Sequence, residues 1–502
     1  MLHRFAPIVR STAVALVVLC ASFVPSVRAQ DWPSGEDHWN LGAIGAKALT
    51  GVASRPQADA SGKVSVSGDV PFLDGGPAEL VLAEVAADGP AAAAGLAPGD
   101  VLVAAGGKKF KEDESLAALA KAIAKARADD GELELTVEKK GGDKEKVVVK
   151  LDVLGREGKD PVSTEARSLA YERAAAWLAE AQQDDGGLAA GLSGENGRVV
   201  ATSLAGLAWI AGGSDLESGP YKEQVADAFT YVNGRMGALG ANPLPKPDPG
   251  QPNWDQSNWA VVYAGIFLGE LQAHTPNDAA KDTLGWIAKT LAERQERSGG
   301  YAHGPGGKNA LDYVELNIVG SIALMAYGAC HRAGVEVDED AVDRLVEYLD
   351  ASSSGGGVGY STGAGQQGIG NIGRTVPAWR GMVLMERGRD GFAKQMQGYA
   401  RKESQNFLGG HASLMHHIFF GGLGAHALSS KDGSKWWDAM EREVVLAQDH
   451  RGAFHSRPFQ ETANLGSNSD ATMGLPWTTA SWAILLVLDR KDAGLPLLVG
   501  AD

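Results

Sequence analysis

The sequence has 502 residues and a formal net charge of −16 at pH 7. That length is enough for two or three domains with cores of their own. A chain this acidic is a poor candidate for binding nucleic acid or an anionic membrane. Of its two cysteines, only Cys330 lies beyond the N-terminal segment, so we expect no internal disulfide and no cysteine zinc site.

The N-terminal segment has the pattern of a secretory signal peptide. Arg4 and Arg10 give it a positive start, residues 13–23 form an apolar run, and Ala29 provides a small residue for cleavage. We therefore predict that residues 1–29 are removed and that the protein is secreted or periplasmic. The apolar run is short for a bilayer and no second one follows, so we predict no membrane span.

Residues 63–153 form the first predicted domain, after a linker or strap over residues 30–62. The pattern predicts a strand over 80–85, a helix over 114–128 and two further strands over 132–137 and 146–151. Between the first strand and the helix runs Gly89-Pro90-Ala-x-x-Ala-Gly95-Leu-x-Pro98-Gly99-Asp100. Glycines and proline at these spacings make tight turns around a short helix.

That run resembles the PDZ domain in its bacterial arrangement. The resemblance implies a groove in which a peptide or protein terminus is added as a strand beside one helix. The turn before the first strand is expected to hold the peptide carboxylate, yet Pro71 and Asp74 fit that role badly, since Asp74 would repel a carboxylate. The domain is therefore either a peptide receptor or a docking module or lid within this chain. The expected groove residues are Leu80, Val81, Leu82, Leu116, Leu119 and Ile123.

A repeated unit fills the rest of the chain, over residues 166–495, after a charged linker at 154–165. Glycine-rich anchors recur near Gly187, Gly240, Gly300, Gly357, Gly410 and Gly452. Steps of this size indicate a repeat architecture. Three anchors share a signature, which we align as Gln183-x-x-Gly186-Gly187, Gln295-x-x-x-Gly299-Gly300 and Gln448-x-x-x-Gly452.

The helices on the two sides of each anchor differ. Helix 341–349 before an anchor has apolar residues on one face only, whereas 314–327 and 475–488 after anchors are apolar all round. Uniformly apolar helices in a soluble protein must be buried on all sides. Six hairpins with one amphipathic and one apolar helix each predict a closed double ring, the apolar helices inside.

The glutamine–glycine turns with paired helices resemble the α/α toroid of terpenoid cyclases, including the squalene cyclase type, and of protein prenyltransferase β-subunits. The resemblance covers residues 165–490. It implies an all-α (α/α)6 fold behind the small α+β domain, but fold alone does not settle activity. The Asp-x-Asp-Asp motif of the cyclases, the prenyltransferase zinc ligands and the thioester motif of related toroids do not occur here.

Polar residues just after the anchors are the candidates for a site, because the turns into the inner helices meet at one mouth. Histidines there are able to act as acid or base, although a hydrogen-bonded core histidine and, for Asp312, a helix cap are the competing interpretations. We predict no metal and no cofactor. The catalytic candidates are His303, Asp312, His411, His416, His455 and Asp470, and the ligand-binding candidates are Arg374, Trp379, Arg380 and Trp477. Further site candidates by the same criterion are Asp255, His417 and Arg457.

Two functions from different classes remain open. The first is an exported binding protein without catalysis, whose PDZ-like domain holds a peptide or protein and whose toroid funnel takes a glycan or small molecule. The second is an enzyme that acts on an extracellular glycan or other polymer at the toroid mouth. Terpenoid chemistry is a third interpretation, and an aromatic lining of the funnel would favour it.

Overall fold

The structure, a computed structural model, describes residues 38–49, 57–58, 64–65, 74–241, 256–305, 315–362, 370–408, 410–459, 468–490 and 494–500. The predicted signal segment, Asp255 and Asp312 lie outside these residues. Among the helices that are described, none combines the length and the apolar character needed to cross a membrane.

The N-terminal part of the described chain is an antiparallel sheet packed on one long helix. In β8, Leu133, Leu135 and Val137 alternate with more exposed residues and pack against buried residues of helix α2. The strand order is β1-β2-β5-β6-β8-β9, with β7 paired to β6, and β3 pairs only with β4. The elements are β1 Trp39–Asn40, β2 Ala46–Ala48, β3 Gln57–Ala58, β4 Val64–Ser65, β5 Leu80–Val85, α1 Pro90–Ala93, β6 Val101–Ala105, β7 Lys108–Lys109, α2 Ser115–Ala128, β8 Glu132–Glu138 and β9 Lys144–Lys150.

This sheet begins earlier than the predicted boundary at residue 63. Strands β1 and β2 come from the segment that the sequence analysis assigned to a linker or strap, and β2 pairs with β5. Trp39, Leu41 and Ile44 are buried in the same core as α2. The boundary was wrong because strands of two and three residues are too short to carry an alternating pattern.

In the described part of the chain six helical hairpins follow, and each consists of an outer and an inner helix. Several outer helices begin at polar caps, as where Ser163 accepts a hydrogen bond from the amide of Ala166. The outer helices are α3 Thr164–Ala181, α5 Lys222–Ala241, α7 Asp278–Arg294, α9 Glu339–Ala351, α11 Gly391–Glu403 and α13 Ser430–Ala447. The inner helices are α4 Glu195–Ala211, α6 Ser257–His274, α8 Asn317–Arg332, α10 Ile372–Leu384, α12 Leu414–Leu428 and α15 Leu475–Leu486, with a short α14 Ser469–Met473 before the last and a small hairpin, β10 Ser353–Ser354 with β11 Gly357–Val358, before α10.

The inner helices form a closed ring. Each contacts the next in the order α4, α6, α8, α10, α12, α15, and α15 contacts α4 again. Every residue from Ala260 to Leu271 of α6 is buried, whereas α9 buries only one face. The predicted α/α toroid is therefore confirmed. Because every inner helix follows its outer partner through a turn, the six inner helices begin at the same end of the ring.

The anchor glutamines brace neighbouring outer helices. Each amide nitrogen donates one hydrogen bond to the carbonyl of an anchor glycine and a second to the next outer helix. The predicted alignment of the first anchor was off by one residue, since Gln182 and not Gln183 makes these contacts. The pairs of acceptors are Gly186 (2.9 Å) and Gln224 (3.1 Å) for Gln182, Gly299 (3.0 Å) and Ala341 (2.8 Å) for Gln295, and Gly452 (3.1 Å) and Ala170 (2.8 Å) for Gln448.

The last of these braces closes the ring, because Ala170 belongs to α3, the first outer helix. The predicted anchor at Gly240 is wrong: this glycine lies inside α5, against the Trp286 indole. The turn that follows α5 falls in residues 242–255, outside the described part of the chain.

A C-terminal segment lies across the far end of the inner helices. Its short helix α16 (Pro496–Val499) contacts α6 and α12, which are opposite each other in the ring. Glu270 Oε1 accepts a hydrogen bond from the Leu498 amide at 2.7 Å, and His274 Nε2 lies 2.8 Å from the Gly494 carbonyl. Burial raises the pKa of Glu270 to about 8.

We expect Glu270→Gln to remove a pH dependence of stability. Between pH 4.5 and 8, the folded chain keeps Glu270 protonated while the unfolded chain ionises it, so rising pH favours unfolding across this window. The free energy of unfolding of the wild type then falls by on the order of 4 kcal/mol because of this group. The variant lacks this fall, because Gln does not titrate. Urea denaturation at pH 5 and pH 8 measures the difference. Glu172→Gln, at an exposed position on α3, is the control, and an unchanged pH profile for Glu270→Gln would refute the assignment.

Candidate functional site

The N-terminal ends of three inner helices bring aromatic rings together inside the ring. Trp259, His416 and Trp477 are each the third residue of their helices, α6, α12 and α15. All three are on the first turn, so they meet at the mouth end. Helices α6 and α12 are not neighbours in the ring, and contacts between them therefore cross its interior.

The His416 imidazole is the centre of this group. Its ring centroid lies 5.6 Å from that of Trp259, 6.4 Å from Tyr263, 5.9 Å from Phe420 and 5.1 Å from Trp477. The Phe420 ring is stacked on it, and the Trp477 ring meets it edge to face. These four rings and the His416 imidazole are called the axial aromatic site below.

Two polar atoms of the axial aromatic site lack a hydrogen-bond partner among the described residues. They are Nδ1 of His416 and the hydroxyl of Tyr263, and both are buried. Burial lowers the pKa of His416 to about 3, with the adjacent His417 as a smaller cause, so the ring is neutral at pH 7. Burial also raises the pKa of Tyr263 well above its ordinary value, which keeps its hydroxyl protonated.

Asp470 holds one wall of this site in place. Its Oδ1 accepts hydrogen bonds from Ser413 Oγ at 2.5 Å and from Trp477 Nε1 at 3.0 Å, and its Oδ2 accepts one from the Met415 amide at 2.9 Å. Burial raises the pKa of Asp470, although these hydrogen bonds oppose the rise. The carboxylate thus positions α12 and Trp477, and its hydrogen-bonding capacity is committed to that role.

His303 and His417 border the same region and are also hydrogen-bonded. The Trp259 indole donates to His303 Nδ1 at 2.8 Å, and His417 Nδ1 lies 3.0 Å from the Ser413 carbonyl. Burial lowers the pKa of each of these histidines to about 4. Both imidazoles are therefore neutral at pH 7.

The remaining histidine candidates have their partners outside the axial aromatic site. His455 Nε2 is 3.0 Å from Asp449 Oδ2, and the other oxygen of Asp449 accepts the amides of the Gly452 anchor turn. Burial opposes ionisation of Asp449, but the hydrogen bond from His455 holds its pKa below the ordinary value. His411 packs edge to face on Tyr360 at 5.5 Å.

The arginine candidates occupy two places along α10. Arg374, in the first turn, donates through Nε to the Val358 carbonyl at 3.1 Å, and burial lowers its pKa to about 10. Arg380, beside Trp379, donates to the carbonyls of Leu497 (3.2 Å) and Gly500 (3.0 Å) in the C-terminal segment. Only Arg374 is therefore near the mouth end of its helix. Within the part of the chain that the structure describes, no three His, Cys, Asp or Glu side chains converge as a metal site requires.

The predicted PDZ groove residues are all buried, with Leu80, Leu82, Leu116, Leu119 and Ile123 in one core and Val81 in a small cluster with Leu49. Asp74, expected to repel a ligand, instead pairs with Arg442 of α13 and with Arg457. Both arginines belong to the toroid. The N-terminal domain is thus fastened to the toroid at this point.

Sequence reasoning missed Trp259, Tyr263 and Phe420 as site residues. All three stand in apolar helices, where an aromatic residue is more often part of the core. The signal that identifies them is their position from the helix starts: Trp259 is the third residue of α6, and Tyr263 and Phe420 are the seventh residues of α6 and α12. It becomes visible only once the helices are aligned as a ring.

Comparisons with known proteins agree with this division of the chain. Residues 51–151 match the PDZ domain family. No functionally curated protein matches the sequence. Among solved structures, a variant of the type II terpene cyclase MstE from Scytonema with geranylgeranyl dihydroxybenzoate bound has 14% sequence identity and a TM-score of 0.40, covering 66% of this chain and 99% of that one.

Two further solved structures have similar values. A protein from Actinoplanes has 14% identity and a TM-score of 0.39, covering 64% of this chain and 98% of that one. The apo form of MstE has 14% identity and a TM-score of 0.39, covering 65% and 98%. Residues 220–487 match the family described as Domain of unknown function (DUF6288). Since that match spans more than half of the 502 residues, the chain belongs to the DUF6288 family and carries a PDZ domain before the toroid.

Proposed function

We propose that this protein is an exported binding protein whose toroid takes a small apolar ligand with one polar group at the axial aromatic site. The observation that carries the proposal is a pair of buried atoms among aromatic rings, His416 Nδ1 and Tyr263 Oη, which have no hydrogen-bond partner within the described part of the chain. Buried polar atoms without a partner are rare in folded proteins, and each calls for an explanation. A ligand hydroxyl or carbonyl that meets them supplies one.

The chemistry of the walls defines the ligand class. Trp259, Phe420 and Trp477 offer ring faces and edges, which favour apolar and aromatic groups. The neutral His416 and the protonated Tyr263 hydroxyl offer hydrogen bonds but no charge. A charged ligand would lose hydration at this site without gaining an ion pair. We therefore expect neutral ligands to bind and carboxylates or ammonium ions to be rejected.

The test is isothermal titration of the full chain with 2-naphthol and with naphthalene, which differ by one hydroxyl. We expect 2-naphthol to bind at least tenfold more tightly, because an additional hydrogen bond to otherwise unpaired groups contributes about 1–3 kcal/mol. Tyr263→Phe is expected to reduce that preference while naphthalene binding is retained.

Trp477→Ala is expected to weaken both ligands by at least tenfold. Trp286→Ala is the matched control, because Trp286 is a partly buried tryptophan on the outer helix α7. Equal affinities for the two ligands in the wild type, or equal effects of the two tryptophan variants, would contradict the proposal.

The chain also carries a PDZ domain, a family of protein-binding modules. We further propose that the protein works outside the cytoplasm, which the signal-like pattern of residues 1–29 supports. Comparing the N-terminal residue of the protein isolated from its host with Gln30, the position after the expected cleavage, tests the export proposal.

A further inference from the structure

The C-terminal end of α13 lies against the PDZ domain beside α2. Helix α13 contacts α2, the helix of the predicted groove, and the 3-10 turn Gly42–Ile44, which leads into β2, the strand paired with the predicted groove strand β5. Leu446 of α13 is buried within the core of the PDZ domain, together with Leu116 and Leu119 of α2. A side chain from the toroid is therefore part of the apolar core beside α2, the helix of the predicted groove.

Hydrogen bonds fix the end of the helix there. Asn40 Nδ2 donates to the carbonyls of Leu446 at 2.6 Å and Ala447 at 2.9 Å, which α13 itself leaves unpaired at its end. The Gly42 backbone, at φ +70°, approaches so closely that a Cβ there would lie 2.4 Å from the Val445 carbonyl. The approach requires glycine, so the turn is shaped to this helix end.

Charged residues of the PDZ domain pair with oppositely charged residues of the toroid. Asp74 pairs with Arg442 and Arg457, and Asp88 pairs with Arg451 at 2.7 Å and with His450 at 3.3 Å. The Arg457 guanidinium also lies over the Trp39 ring, 5.3 Å from its centroid. Acidic residues of the PDZ domain thus face basic residues on and after α13.

We infer that the ligand of this PDZ domain is the end of α13 in the same chain, and that the domain clamps the last toroid hairpin instead of binding free peptides. Leu446 replaces the apolar side chain with which a peptide is anchored in a PDZ domain. Asn40 binds the carbonyls of a helix end, whereas other PDZ domains bind an extended strand or a chain terminus. The clamp holds the hairpin whose anchor, Gln448, closes the ring on α3. This inference does not rest on ligand binding at the axial aromatic site.

Hydrogen–deuterium exchange of the full chain tests the inference. In Leu446→Asp, which places a carboxylate in the apolar groove, we expect residues 39–48 and 115–128 to exchange at least tenfold faster than in the wild type. Helices α4 and α8, away from the clamp, keep their protection. Leu446→Ala is the milder variant, in which we expect a smaller increase of the exchange rate in the same segments. It keeps the test valid if Leu446→Asp fails to fold.

Ala439→Asp is the control, because Ala439 is exposed on the same helix. Unchanged exchange in residues 39–48 and 115–128 of both Leu446 variants would overturn the inference. A second arm screens phage-displayed peptides with free C termini against the wild-type chain. Enrichment of peptides that protect residues 39–48 would also overturn it, since an occupied groove excludes them.

Discussion

Gly299→Ala is expected to destabilise the protein by about 2–5 kcal/mol, the sum of a strained backbone and an overpacked contact. Gly299 has φ +94°, and a Cβ there would lie 2.3 Å from the Arg344 carbonyl on the next outer helix. The same close approach occurs at Gly186, Gly356 and Gly452, so it belongs to the repeat. Urea denaturation measures the change in the free energy of unfolding.

Gly213→Ala separates backbone strain from overpacking as causes of the expected loss of stability. Gly213 has φ +90°, but a Cβ there would meet nothing within 4 Å, so alanine at this position adds only backbone strain, about 1–3 kcal/mol. We expect Gly299→Ala to be the more damaging of the two. Equal losses at the two positions would mean that close packing of the anchor on the next helix contributes nothing.

Glu443→Gln is expected to destabilise the protein by about 3–5 kcal/mol, because it removes the buried one of the two carboxylates, Glu443 and Asp74, that pair with Arg442 and Arg457. Glu443 Oε1 accepts hydrogen bonds from Arg442 and, at 2.7 Å, from Arg457, where the PDZ domain meets the toroid. Burial opposes ionisation of Glu443, but Arg457 and Arg442 hold its pKa below the ordinary 4.5. Its contribution to stability is therefore present above pH 4.5 and is lost as the pH falls through the folded pKa.

Denaturation at pH 7 and at pH 4 measures this effect. The difference between wild type and Glu443→Gln is expected to shrink at the lower pH, because the unfolded chain binds a proton at Glu443 there more readily than the folded chain does. Glu441→Gln, exposed on the same helix, is the control and is expected to change stability by less than about 0.5 kcal/mol. A loss for Glu443→Gln no larger than the control's would show that the network does not stabilise the interface.

The inner helices and the closed ring were predictable from sequence, because a helix that is apolar on all sides over a dozen residues must be buried on all sides. The strand over 80–85 was predictable from its alternating pattern, and helix α2 was predictable from its composition. The register of the first anchor was not, since two adjacent glutamines, Gln182 and Gln183, both precede the glycines. Only the paired contacts of Gln182 with Gly186 and Gln224 distinguish them.

The candidate site was predicted in part. His416 and Trp477 were predicted as site residues, and they lie together. The prediction selected polar residues at the mouth, however, and did not foresee that aromatic rings surround His416. Asp470 is better explained by the three hydrogen bonds it accepts than by an acid role. The groove contact of Leu446 with the PDZ domain was beyond prediction, because it joins segments about 400 residues apart through one side chain and two carbonyls.

A crystal structure of the full chain soaked with 6-bromo-2-naphthol tests the central claim most directly, because anomalous scattering locates the bromine. The account predicts one bromine inside the ring of inner helices, with the naphthol ring against Trp259 and Trp477 and its hydroxyl within hydrogen-bond distance of His416 Nδ1 or Tyr263 Oη. Bromine only on the outer surface, or an unchanged packed interior at saturating ligand, would contradict it.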